Sequence, residues 1–115
     1  MPARVAASMV LVTVPDRKTA RLVADTVLEA RLAACVQILS GLESHYLWKG
    51  RKEASKEFLL ILKTRRSRVS ALRKAVRSVH PYETPQFVAF DIDSGGPDYL
   101  AWIAGCVPAT EKASE

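Results

Sequence analysis

The chain reads as an α+β domain of order βαββαβ with a closing helix, the split βαβ arrangement in which two helices cover one face of an antiparallel sheet. Three observations predict it. Four apolar runs rich in β-branched or aromatic residues are interspersed with two amphipathic stripes at helical spacing. The two middle runs are separated only by Lys49-Gly50, as in a long hairpin. A length of 115 residues allows one domain with a substantial core and no room for a second.

Met9-Val10-Leu11-Val12-Thr13-Val14 is apolar on both alternating faces and stops at Pro15-Asp16, so the first strand is expected over residues 8–14. Asp16 suits a helix N-cap, and Ala20, Val23, Ala24, Val27 and Leu28 recur at spacings of three and four, carrying a first helix to about Arg31. Ala34 to Leu39 is a second strand, interrupted by Ser40-Gly41 and resumed from Leu42 to Trp48, as one long strand with a bulge would be. Arg51 through Lys63 returns as the other arm of the hairpin, its polar first half projecting beyond the core.

Ser67 is placed to cap a second helix in which Val69, Leu72, Val76 and Val79 keep helical spacing, while Arg66, Arg73 and Arg77 fall on another face. A residue before proline is driven out of the helical region, so this helix ends before His80-Pro81, and Gln86 to Ile92 forms the fourth strand. After the loop Asp93-Ser94-Gly95-Gly96, Pro97 opens a short third helix carrying Tyr99, Leu100, Trp102 and Ile103. The expected organisation is a flexible N-terminus over 1–7, one domain over 8–107 and a flexible tail over 108–115.

No apolar run approaches the ~20 residues needed to span a bilayer, and Met1 to Ala7 carries one basic residue without a long apolar core, so a cytoplasmic chain is expected with no membrane partner. The net charge of +5 is uneven, with no Asp or Glu from Phe58 to Tyr82. That basic stretch lacks interleaved aromatics for base stacking and reads as a solvated helix face, so no nucleic-acid partner is expected. Cys35 and Cys106 have neither zinc-site spacing nor a partner motif.

His80-Pro81-Tyr82-Glu83-Thr84-Pro85 sets an imidazole, a phenol and a carboxylate between two prolines that stiffen the backbone. Its two readings are a small site and a shaped connection in which His80 and Tyr82 cap backbone groups. No activated nucleophile and no glycine-rich phosphate loop accompanies it, so an enzyme is not expected. The strands are apolar on both faces, which calls for cover beyond the two helices, and the hairpin tip with Tyr46 and Trp48 is the expected subunit interface.

Six segments resemble the CutA divalent-cation tolerance family: Val12-Thr13-Val14-Pro15-Asp16, Arg31-Leu32-Ala33-Ala34-Cys35-Val36, Tyr46-Leu47-Trp48-Lys49-Gly50, Leu62-Lys63-Thr64, His80 to Pro85, and Tyr99-Leu100-Ala101-Trp102. They run in order over about residues 8–103. The resemblance implies a ferredoxin-like subunit, a homotrimer whose long hairpins join sheets across subunits, a role in the response to divalent metals, and no obligatory cofactor. It also implies copper or another divalent cation as a weakly bound ion. Of the cysteines proposed as copper ligands in relatives, this chain keeps Cys35, with Val12 and Ala75 at the other positions. The expected metal ligands are therefore His80, Glu83 and Cys35, with His45 a distant extra. The alternative is a signalling or interaction module whose intersubunit cleft, lined by Lys63, Tyr82, Glu83 and Trp102, holds a small anionic ligand or a partner.

Overall fold

Alternation along the first strand, β1 (Ala7–Val14), decides what the rest of the chain covers. The structure, a computed structural model, describes residues 6–110. Val10, Val12 and Val14 point to one face and are fully buried with Leu60 and Leu62 of β3 (Arg51–Arg65). Onto that face pack Ala20, Val23 and Val27 of α1 (Arg17–Glu29) and Leu72 and Val76 of α2 (Val69–Val79). Each such large aliphatic side chain contributes ~1.5–3 kcal/mol by leaving water, so this layer is the main source of stability. With β2 (Cys35–Trp48) and β4 (Val88–Asp91) the sheet has the order β2-β3-β1-β4, antiparallel throughout. The expected split βαβ fold is the observed one.

The opposite face is apolar too, yet the subunit covers only one end of it. There α3 (Pro97–Cys106) is anchored by Arg65, whose Nη2 donates to Ala104 O at 2.9 Å and whose Nε donates to Val107 O. A cation on the closing carbonyls also complements the helix dipole. Beyond α3 the face lies open: Leu39, Val88 and Phe90 are 52%, 42% and 51% exposed.

The hairpin changes face at a bulge. Leu39 pairs with Leu59 but Leu42 pairs with Glu57, so β2 has one residue more than β3 across this interval, and Gly41 supplies the left-handed φ of 85° there. Since side chains alternate with period two, the extra residue moves Tyr46 and Trp48 onto the face that holds Leu39 and Glu57. The arm closes through Lys49 and Gly50, at φ 52° and 77°, the paired positive values of a type I′ turn. Because β1 pairs only with residues 58–65 of β3, the distal arm stands free of the core. It raises the radius of gyration to 15.2 Å, against about 13 Å for a compact domain of this length.

Several local expectations are corrected. Ser67 does not cap α2: it lies in a 3-10 turn over Arg66–Arg68 and its hydroxyl donates to Ala109 O, so α2 begins at Val69 without a side-chain cap. Helix α1 ends at Glu29 because Arg31 takes a left-handed φ of 56°, which lets Leu32 N–H reach Val27 O. Strand β4 is shorter than expected, its pairing with β1 starting only at Val88, while Phe87 packs against the core. The expected flexible ends fall partly on residues 1–5 and 111–115, outside the described residues; Ala7 already belongs to β1, and Ala6 O accepts from Arg66 N–H.

Gly41→Ala meets no neighbour within 4 Å, so its cost is conformational alone. We expect a loss of about 1–2 kcal/mol from the left-handed backbone, read as a lower denaturant midpoint with unchanged slope.

Candidate functional site

The proline-bracketed segment is locked to the sheet by its own side chains. After α2 stops, His80 is extended and its ring is buried beneath the end of β1, with Nε2 2.8 Å from Thr13 O. A carbonyl only accepts, so Nε2 carries the proton and Nδ1 is left to accept the Tyr82 backbone N–H at 3.2 Å. The Tyr82 ring packs 4.8 Å from the imidazole, and its hydroxyl donates to Glu57 Oε2 at 2.8 Å. Burial, then the Glu57 carboxylate as acceptor, push the Tyr82 phenol well above its ordinary range. Arg77 reaches Glu83 O at 3.4 Å from the last turn of α2.

Between this rim and the distal half of β2 lies a groove of about 710 Å³, lined by Glu43, Tyr46, Trp48, Glu57, Tyr82 and Glu83 among others. His45 lines it too, with Nε2 2.6 Å from Glu43 Oε2 and both side chains in solvent. No lysine or arginine lines the groove among the described residues.

The expected site residues separate into two clusters. Tyr82, Glu83, Tyr46 and Trp48 meet at the groove. Cys35 and Lys63 pair across β2 and β3, and Lys63 pairs with Met9, four residues along β1 from Thr13 and hence about 13 Å away. There Lys63 Nζ lies 2.7 Å from Gln37 Oε1 and 5.6 Å from the Tyr99 ring, which neighbours Trp102 at 5.6 Å and holds its hydroxyl 3.7 Å from Cys35 Sγ. His80, Glu83 and Cys35 thus form no common metal site within the subunit, because sheet register separates Cys35 and backbone bonds occupy both His80 nitrogens. No group of three His, Cys, Asp or Glu side chains able to hold a metal occurs among the described residues. Nor does one subunit assemble the cleft of Lys63, Tyr82, Glu83 and Trp102; its groove is acidic where the anionic-ligand reading needs a cation. Sequence reasoning missed Glu57, Thr13 and Tyr99. The one signal for Glu57 was a carboxylate opening the apolar run Phe58-Leu59-Leu60.

A family model described as CutA1 divalent ion tolerance protein matches residues 8–106. The chain belongs to this family. A CutA homolog of Xenopus laevis is 45% identical over 101 residues, covering 88% of this chain and 67% of that protein. The divalent-cation tolerance protein CutA of Thermus thermophilus is 42% identical over 83% of this chain and 92% of its own. The CutA1 crystal structure from Oryza sativa superposes with a TM-score of 0.89 at 36% identity, covering 93% of this chain and 98% of that one. The chain spans 59% of the Homo sapiens relative and 54% of the Mus musculus one. CutA relatives carry different compartments in their names, chloroplastic in Arabidopsis thaliana and periplasmic for the structure from Archaeoglobus fulgidus. Within the CutA1 match lie both clusters, the groove and the Lys63–Tyr99–Trp102 group. The family description is one of ion tolerance, not of a catalysed reaction.

The raised Tyr82 pKa has a testable sign. In the unfolded chain the phenol loses its proton near pH ~10, while in the fold it holds it longer, so its contribution is complete below that pH and is lost as pH rises further. Ultraviolet titration should show one of the three tyrosines ionising late, with that late component absent in Tyr82→Phe. The variant should also lose stability less steeply above pH ~10 than the unaltered protein.

Proposed function

We propose that this protein acts in the tolerance of divalent metal ions as a cytoplasmic homotrimer whose copies close the open sheet face against one another. The observation that carries this reading is the half-exposed apolar surface of Leu39, Val88 and Phe90 beside two unpaired sheet edges, β2 and β4. Apolar surface next to open edges invites pairing with further strands, and the long hairpin offers the reach for it. Membership of a divalent ion tolerance family supplies the metal role. Two free cysteines suit a reducing compartment, and no described helix is long and apolar enough to cross a membrane.

Copper or another divalent ion is bound weakly in this reading, at His45 with Glu43 beside it. Imidazole and carboxylate together follow the usual stability order, with copper favoured, but two solvent-exposed donors give little affinity. His80 contributes no ligand because its lone pair is taken.

Light scattering should give a trimer for the unaltered protein and a weakened assembly for Trp48→Ala; an equally stable trimer in that variant removes Trp48 from the interface. Copper titration should show weak binding that His45→Ala diminishes and His80→Ala, if folded, leaves in place. Cells lacking the protein should show lower tolerance of excess divalent metal, and unchanged tolerance would refute the role itself.

A further inference from the structure

We propose that the groove between β2 and the proline-bracketed loop is a binding site for an organic cation, specifically an alkylguanidinium group. Its floor carries the decisive group. Glu57 is only 7% exposed, and no cationic side chain pairs with it among the described residues. Its Oε2 accepts from the Tyr82 hydroxyl, Oε1 has no hydrogen-bond partner among the described residues, and the residue lines the groove. A carboxylate that accepts from one neutral donor keeps acceptor capacity to spare, and a cationic N–H donor reaching Oε1 would use it.

The walls select the kind of cation. Rings of Tyr46, Trp48 and Tyr82 line the space, and Trp48 already holds the Lys49 ammonium 5.7 Å from its ring centre, so a cation over this indole has a precedent within the chain. Glu43, paired with His45, and Glu83 also line the groove, and no lysine or arginine is among its described lining residues. A firmly held divalent ion needs several converging donors, and no group of three His, Cys, Asp or Glu side chains converges among the described residues. An inorganic anion meets carboxylates of its own sign. A guanidinium is planar, weakly hydrated and always charged, stacks on aromatic faces and donates to carboxylates, which matches each element of the groove. The volume of about 710 Å³ lies within the usual range for small-molecule sites. Two sources offer this chemistry: a free alkylguanidinium compound, or the basic hairpin tip of a second copy, with Lys49, Arg51 and Lys52.

The test is calorimetry with n-butylguanidinium against n-butylurea, a neutral analogue of the same shape, with a chelator present so that metal makes no contribution. The expected result is saturable binding of the cation, with the urea about tenfold weaker or more. Glu57→Gln should lose about tenfold or more, the scale of one charged hydrogen bond, and Glu83→Gln on the exposed rim should lose less. Binding to the unaltered protein assigns the site to a free ligand. Binding that appears only after Arg51 and Lys52 are replaced by alanine, with Lys49 kept because its ammonium lies over Trp48 of its own chain, assigns it to the neighbouring tip, and both results support a cation site. Equal affinity for urea and guanidinium, unchanged affinity in a folded Glu57→Gln, or no binding in either protein overturns it.

Discussion

A sheet apolar on both sides, in a chain whose helices cover only one, is the constraint from which the rest follows. The strands carry apolar side chains on both faces, and α1 with α2 packs on a single one. Helix α3, clamped by Arg65, shields only the end near Ala7. The uncovered remainder is continuous with two open edges, so the subunit is complete as a fold and incomplete as a surface. Assembly is in this sense written into the strand composition.

The same register that leaves the face open builds the groove. Gly41 adds one residue to β2 and thereby turns Tyr46 and Trp48 toward Glu57. From the other side His80 fastens the loop to Thr13 and holds the Tyr82 backbone, so that the phenol meets the same carboxylate. His80 therefore shapes the rim and leaves the groove's chemistry to Glu57, Tyr82 and the hairpin aromatics. A histidine between a helix and a proline invites a functional reading, but here its two nitrogens serve the backbone.

Element order, the hairpin, the bulge at Ser40-Gly41 and the helical faces were legible because period and turn chemistry are local properties. Ser67 misled because its hydroxyl finds Ala109, 42 residues away, in place of a helix N–H. The site was legible only by halves. Tyr82, Tyr46 and Trp48 were singled out, yet Glu57 was missed, since its pairing with Tyr82 spans 25 residues. Cys35 and His80 looked like partners because residue type alone carries no distance; strand register separates them. The resemblance to the CutA family rested on six short segments in order, all of which lie within the matched residues 8–106.

Amide hydrogen exchange on β2 and β4 in the unaltered protein tests the central claim most directly. These are edge strands of the lone subunit, so the N–H groups pointing away from β3 and β1 have no strand partner among the described residues. If copies of the chain cover the open face and its edges, those amides will exchange slowly, and dilution that dissociates the assembly will release them. Exchange at the rate of open strands in concentrated solution, with the inward amides still protected, would show the face and its edges uncovered and contradict the account.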